Sequence, residues 1–448
     1  MKRNRLKIHS LAAALMLACS VVAQQPSAIH EFSVQQALDY AMKNSVQVKN
    51  ALLDVQIQDQ TNRDVTAAAY PQVNGSFSMV YNAKIPVTLV PAEFFGGTPG
   101  TYEKFPFGIK WTATGGISLD QLLFDGQVFV GLQARKTVLD FSRKNVEVTE
   151  EMIKANIYKI YYQLQAGKTQ VSLLDANIDR LEKLLNDTRE IYKNGFAEKL
   201  DVDKVSVQLA NLQTEKLKVT SQINNGYLGL KLLMGMPVKD SLRLTDTISY
   251  EQVRENLPQV SDFKYSDRKE YQYAALGIKL GQYNIRRYKL SRYPTLSMNA
   301  YYNENAQRNK FTFFSNGDWF PVAAISLHVN VPIFNGFSTR AKIQKATLEL
   351  QQSINQQEAL KLSIDNDIEV AKNNFSTAVA TLDFQKKNME LAEQVYNQTR
   401  KKFDAGVGSN TEITAAQTDL KAAQSNYISA LYDAIIAKVD YLKALGKL

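Results

Sequence analysis

Apolar residues recur at every seventh position over two long stretches of the chain. After Phe124-Asp125-Gly126 one stripe reads Ile157, Leu164, Val171, Ile178, Leu185, Tyr192. Beside it runs a second: Leu132, Leu139, Val146, Ile153, Ile160, Gly167, Leu174, Leu181. No proline interrupts between there and Pro237. Sustained sevenfold spacing predicts coiled-coil helices, and a helix over 128–193 would be roughly 100 Å long at about 1.5 Å per residue. A return helix is expected after it, with Val202, Leu209, Ile223 and Leu230 on one stripe. A later stretch has the same design, Ile368, Phe375, Leu382, Met389, Tyr396, Phe403. Its return helix carries Ile413, Leu420, Tyr427, Ala434, Tyr441 beside an alanine line, Ala416, Ala423, Ala430, Ala437, Ala444. Alanine at that period lets neighbouring backbones approach closely. Shorter helices are expected over 33–69 and 267–291.

Four segments change from period seven to period two. Val73, Gly75, Phe77, Met79 and Tyr81 alternate with Asn74, Ser76 and Ser78; Ile325, Leu327, Val329, Val331 and Ile333 alternate with Ser326, His328 and Asn330. With two less regular segments, strands are predicted at about 72–82, 112–124, 295–303 and 322–334, each near the length of a tilted transmembrane β-strand. Trp111, Trp319, Tyr81, Tyr301, Tyr302, Phe320 and Phe334 supply aromatic ends, as a membrane interface favours. A soluble sheet with one wet face would alternate in the same way.

The chain repeats itself. Ala69-Tyr70-Pro71 returns as Arg292-Tyr293-Pro294 at an offset of 223, Phe124-Asp125-Gly126 as Phe334-Asn335-Gly336 at 210, and Tyr192-Lys193-Asn194-Gly195 as Phe403-Asp404-Ala405-Gly406 at 211. The fall of 13 in offset means that one copy has a longer insert between the Tyr-Pro and Phe-Asp/Asn-Gly landmarks. The organisation read from this is a signal peptide over 1–23, a first repeat over 24–240, a linker over 241–264 and a second repeat over 265–448. The signal peptide rests on Lys2, Arg3, Arg5 and Lys7, the apolar stretch Leu11–Ala18 and the small-residue site ending at Ala23. Cys19 is an alternative lipid-attachment residue. Cleavage after Ala23 lowers the formal net charge from +9 to +5; no basic run follows, so nucleic acid is not an expected partner.

Little catalytic material is present. The 448 residues include one Cys and three His, and no HExxH, GxSxG, GxxxxGK or GxGxxG occurs, so no enzyme activity, cofactor or metal is expected. Two acids stand out by position. Asp201 lies six residues after Gly195 and Glu412 six after Gly406, so both open a return helix at equivalent points. The helix dipole favours an acid there in any case.

Four strands cannot close a barrel, and an open edge is not tolerated in lipid. Strands must be pooled: two chains give eight, three give twelve, and the Ser- and Asn-bearing inner face fits the wider lumen of twelve.

In their order and duplication these landmarks resemble the TolC family of outer-membrane efflux proteins, from Phe32 to Leu448. The opening Val34-Gln35-Gln36-Ala37-Leu38-Asp39-Tyr40-Ala41 with Asn44, the Tyr-Pro pairs, the Phe-Asp/Asn-Gly turns and the aromatic-x-x-Gly helix ends carry the likeness. The resemblance implies a mainly helical fold with a membrane β-barrel part: a homotrimer with a 12-stranded barrel in outer-membrane lipid and a periplasmic helical tunnel. It implies an exit channel of a Gram-negative tripartite efflux or type I secretion system. The partners would be a periplasmic adaptor (membrane fusion) protein and an inner-membrane efflux pump or secretion ATPase. By motif position Glu412, with Asp201 as its first-repeat counterpart, becomes the pore-constriction residue. The turns with Gly195 and Phe196, and with Gly406, Val407 and Gly408, become the adaptor-docking tips. A periplasmic coiled-coil protein that bridges envelope components without a pore is the alternative, and does not need aromatic-ended strand pairs.

Overall fold

The computed structural model describes residues 29–254, 263–314 and 317–448; the signal-peptide segment and Cys19 lie outside them. In chain order the elements are β1 (Ile29–Phe32), α1 (Val34–Asn44), α2 (Val46–Ala67), β2 (Gln72–Tyr81), β3 (Val87–Pro91), β4 (Tyr102–Pro106), β5 (Trp111–Phe124), α3 (Gly126–Lys193) and α4 (Lys199–Met234). Then follow β6 (Ser241–Leu244), α5 (Tyr250–Arg254), α6 (Lys269–Leu290), β7 (Thr295–Arg308), β8 (Phe320–Asn330), α7 (Ser338–Asp404) and α8 (Asn410–Ala444). The described residues divide into two compact units, one built from 29–51, 146–254, 263–269 and 361–448, the other from 52–145, 270–314 and 317–360.

The first unit is a helical assembly whose core is the heptad pattern made solid. Ile157, Leu164, Ile178 and Leu185 of α3 are buried. Leu174, Ile178, Leu181 and Leu185 pack with Val205, Leu212 and Val219 of α4 and with Ile413, Ala416 and Leu420 of α8. A second cluster joins Ile153, Ile157, Tyr161 and Leu164 to Ala37, Leu38 and Ala41 of α1 and to Leu230 and Met234 of α4. Ala416, Ala423, Ala430 and Ala444 of the alanine line are buried. Each such side chain contributes through apolar area removed from water, about 25 cal/mol per Å².

The segment read as a linker, 241–264, is more than a connection. Its β6 pairs in parallel with β1, Ile29 opposite Ser241 through Phe32 opposite Leu244. The fully buried Tyr161 fixes this pair: its hydroxyl donates to the Phe32 carbonyl at 2.9 Å and accepts from the Asp246 N–H at 3.2 Å. Asp246 Oδ2 in turn accepts from the Val34 N–H at 2.7 Å. Burial pushes the neighbouring Tyr162 phenol up to about 12, so it stays neutral through ordinary pH. The helix expected over 33–69 is two helices. It begins at a capping box, with Gln36 N–H donating to Ser33 Oγ and Ser33 N–H to Gln36 Oε1. It breaks at the buried Ser45, beside which Gly235 ends α4 so closely that a Cβ would sit 2.3 Å from the Asn44 carbonyl oxygen.

One layer of this core is polar. Asn177 of α3, 1% exposed, donates from Nδ2 to Gln424 Oε1 at 2.8 Å, and its Oδ1 accepts from Gln417 Nε2 at 2.7 Å and Arg180 Nη1 at 3.1 Å. Gln417 and Gln424 stand one heptad apart on α8, so the layer ties α3 to α8 in a single register, as a buried amide does in a coiled coil. Asn177→Leu should leave both glutamines without this partner and cost about 1–3 kcal/mol for each amide left unsatisfied. The Asn177→Leu, Gln417→Leu, Gln424→Leu triple variant should regain most of that loss, because no buried amide is left without a partner and the half-buried Arg180 can turn to water. Thermal unfolding of the three proteins checks this; a triple variant less stable than the single one would contradict it.

In the second unit β2, β5, β7 and β8 form one sheet in that order, antiparallel throughout. Around it, Asn62 Nδ2 donates to the Arg135 carbonyl at 3.1 Å and Arg135 Nη1 to Thr66 Oγ1 at 2.8 Å, joining α2 to α3. Phe141 of α3 stacks on Tyr273 of α6 at 4.1 Å.

Candidate functional site

The sheet has two chemically distinct faces. Register puts Val73, Phe77, Met79 and Tyr81 on the same face as Trp111, Ala113, Ile117 and Leu119. Continued across β7 and β8, that face adds Leu296, Met298, Ala300 and Tyr302, then Ala323, Ile325, Leu327 and Val329. The opposite face carries Asn74, Ser76, Ser78, Thr112, Thr114, Ser118, Asp120, Ser297, Asn299, Asn303, Asn305, Ser326 and His328. Its side chains bond to one another: Thr114 Oγ1 to Asn305 Oδ1 at 2.7 Å, and Asn299 Nδ2 to Asp120 Oδ1 at 2.7 Å. Val73, Phe77, Ile325, Leu327 and Val329 are exposed in the single chain, a run of apolar side chains of the kind that marks a membrane or partner surface. Gly116 leaves room for β7, since a Cβ there would lie 2.2 Å from the Tyr302 carbonyl oxygen.

Aromatic rings gather at both ends of the strands. At one end Tyr81 meets Trp111 at 4.5 Å and Trp111 meets Phe311 at 5.1 Å; at the other Phe124 meets Phe129 at 5.6 Å and Phe334 meets Phe337 at 5.4 Å. Tyr301 and Tyr302, expected at a strand end, lie mid-sheet because β7 runs on to Arg308, pairing Asn303–Arg308 with Trp111–Gly116. In the other direction β8 stops at Asn330, two residues before Pro332, short of the expected 334. The edges of the sheet are β2 and β8, and neither has an outer partner strand among the described residues. Periodicity alone misses the β3–β4 hairpin, although the 13-residue difference in offset and Val87-Thr88-Leu89-Val90 mark it.

The two turns in the first unit share one geometry. After α3, Gly195 adopts φ +80° and the Phe196 N–H bonds back to the Ile191 carbonyl at 3.0 Å; after α7, Gly406 adopts φ +74° and the Val407 N–H bonds back to the Lys402 carbonyl at 3.1 Å. Both are Schellman endings, where glycine supplies the left-handed residue. Phe196 and Val407, equivalent by repeat, are 86% and 78% exposed. Gly408 donates to the Lys402 carbonyl at 3.0 Å, and a Cβ there would come within 2.9 Å of the Phe403 nitrogen.

Both singled-out acids are third residues of their return helices. Asp201 is half-buried, and its Oδ2 accepts from the Glu198 N–H at 3.4 Å. Glu412 is exposed, and its N–H donates to the N-cap Ser409 Oγ at 3.2 Å. Asn410 Nδ2 donates to the Asp201 carbonyl at 3.4 Å, so the two helix starts lie side by side. Sequence reasoning passes over Arg400, which binds Asp187 at 2.5 Å and Asp404 at 2.8 Å just before the second turn. Burial opposes its charge, but the hydrogen bonds to Asp187 and Asp404 outweigh it and hold the guanidinium above its ordinary pKa. Only the i,i+4 spacing of Arg400 and Asp404 hints at this. Among the described residues no His, Cys, Asp or Glu cluster is fit to hold a metal, and no helix is long and apolar enough to cross a membrane.

Two blocks of this chain, 37–236 and 266–447, match the family described as outer membrane efflux protein. The chain belongs to that family. Outer membrane efflux protein BepC of Brucella suis is 22% identical over 443 residues, covering 98% of this chain and 90% of its own length. Outer membrane protein TolC of Vibrio cholerae is 19% identical over 337 residues, covering 74% and 76%. Among solved structures, the outer membrane protein VceC of Vibrio cholerae superposes with a TM-score of 0.70 at 15% identity, over 92% of this chain and 96% of that one. The resemblance to the TolC family stands, and with it a TolC-like fold and an efflux-channel function in the Gram-negative outer membrane. The family consists of transport channels. A pore-free coiled-coil protein is thereby set aside, and the two-faced sheet agrees.

Gly195→Val and Gly406→Val place a β-branched residue at a left-handed position and should each destabilise the local helix end by about 1–2 kcal/mol. Phe196→Ser and Val407→Ser, at exposed sites, should change stability by no more than about 0.5 kcal/mol. Limited proteolysis at the turns separates the two classes; equal cleavage in all four variants would contradict the assigned turn geometry.

Proposed function

We propose that three copies of this chain pool their sheets into one 12-stranded barrel and their helices into a periplasmic tunnel, which passively conducts substrate handed on by other proteins. The repeats behind this, 24–240 and 265–448, are one structural plan used twice, each supplying two barrel strands and one helical hairpin. The observation that carries the reading is a four-stranded antiparallel sheet with an apolar face, a polar face and two unpartnered edges. Twelve strands leave a lumen wide enough to be wet, which suits the polar face. The apolar face meets lipid, and the rings at the strand ends sit at its two interfaces.

The exposed Phe196 and Val407 at equivalent turns support adaptor docking there, with Gly195, Gly406 and Gly408 shaping the surface. The adaptor belongs to an inner-membrane efflux pump or secretion ATPase that does the energised work. Phe196→Ser and Val407→Ser should therefore lower export while the protein assembles normally in the membrane.

Glu412 and Asp201 are the constriction residues of this reading. Threefold symmetry multiplies each acid into a ring, and three close carboxylates in a pore attract cations. Exposure favours Glu412 as the stronger contributor. In planar bilayers a trivalent cation added on the periplasmic side should block conductance, Glu412→Gln should weaken the block, and Asp201→Asn should do so less. Unchanged block in the double variant would mean that these acids only begin their helices. Absence of any conductance from the wild-type protein would refute the channel reading itself.

A further inference from the structure

In the second unit, α6 ends and β7 begins where β8 passes into α7, and the chemistry of this junction is one-sided. From Tyr271 to Asn303 there is no carboxylate, while Lys279, Arg286, Arg287, Lys289 and Arg292 are present; from Val331 to Leu348 there is again none, with Arg340, Lys342 and Lys345. The first repeat differs at the matching positions: Ala69 stands for Arg292 at offset 223, and Asp125 and Val130 stand for Asn335 and Arg340 at offset 210. The repeated scaffold therefore folds without these two arginines and tolerates an acid where the second copy has an amide.

Arg292 and Arg340 line one cavity of about 270 Å³, with Ser291 and Thr339 as further polar walls and Ile333, Phe334 and Phe337 as apolar ones. Both arginines are exposed, and neither guanidinium meets a carboxylate among the described residues. Ile333, Phe334 and Phe337 are exposed too. Phe337 holds φ +65°, a left-handed conformation that is strained for a bulky residue, and it keeps its ring edge-to-face with Phe334. Two guanidinium forks match a phosphate, and the adjoining aromatic and aliphatic wall matches hydrocarbon. Few ligands carry both groups side by side, and the cavity opens where the apolar strand face ends.

We propose that Arg292 and Arg340 bind the phosphodiester of a glycerophospholipid headgroup, with its acyl chains lying along Ile333, Phe334 and Phe337. Only the second repeat has this site, so the collar of lipid around the protein is held at one point per chain.

The test is native mass spectrometry of the full chain in detergent, titrated with phosphatidylglycerol. Arg292→Gln/Arg340→Gln should weaken retention at least about tenfold. Lys279→Gln/Lys342→Gln removes the same charge outside the cavity and should leave retention within about twofold of wild type. Uncharged diacylglycerol should be retained no better than by the arginine double variant, and excess inorganic phosphate should not displace the lipid. Equal retention by the arginine variant and wild type would overturn the proposal. An equal loss in the lysine control would replace the site with diffuse attraction, and displacement by inorganic phosphate would make the ligand free phosphate rather than lipid.

Discussion

A backbone N–H or C=O left unpaired in hydrocarbon costs several kcal/mol, and water is not there to replace the missing partner. The sheet of this chain meets that constraint inside and fails it at its rims. β5 and β7 are paired on both sides, whereas β2 and β8 each present an unpaired row. Because the four strands alternate in direction, β8 of one copy would run antiparallel to β2 of the next in the proposed barrel. Closure between copies thus continues the pairing rule already used within the chain, and no new kind of contact is required. The short edge strands by which soluble sheets protect themselves are not used here: β2 has ten residues and β8 eleven.

Duplication explains how one chain serves two solvents. Each copy spends one short segment on strands and one long segment on paired helices, so the lipid-facing and the water-facing parts are specified twice. Where the copies must act alike they stay alike: Gly195 and Gly406 share a left-handed ending, and Phe196 and Val407 share exposure. Elsewhere they diverge. An acid at Asp125 becomes an amide at Asn335: Asp125 Oδ1 accepts from the Gln127 N–H at 2.7 Å, whereas Asn335 Nδ2 donates to Thr339 Oγ1. Asp201 and Glu412 also differ in burial despite equivalent positions.

How much of this is legible in the sequence depends on how periodic each interaction is. Coiled-coil burial repeats every seven residues, so Ile157, Leu164, Ile178 and Leu185 mark the core of α3 by their spacing alone. Alternation likewise reveals both faces of β2 and β8, where every second residue changes solvent. Pairings that depend on distant, non-repeating partners leave no such trace. Tyr161 bonding Phe32 and Asp246, Asn177 meeting Gln417 and Gln424, and Arg400 meeting Asp187 each join residues whose separation carries no period. β6 reads as linker because its four residues are too short to show alternation. Pattern misplaces the end of β7 because Asn303–Arg308 is polar on its own and becomes a strand through pairing with β5. The cavity proposed for lipid rests on a difference between repeats, which only gains meaning once Arg292 and Arg340 are seen to line it together.

Closure of the edges is open to direct measurement. In a Cys19→Ala background, Asn74→Cys on β2 would be combined in turn with Val322→Cys, Ala324→Cys, Ser326→Cys or His328→Cys on β8, all on the polar face. Oxidation in native outer membranes should join different chains in one preferred register, and the ladder of products should end at three chains. A ladder ending at two, one extending beyond three, or no interchain bond in any register would contradict closure of the barrel by three copies.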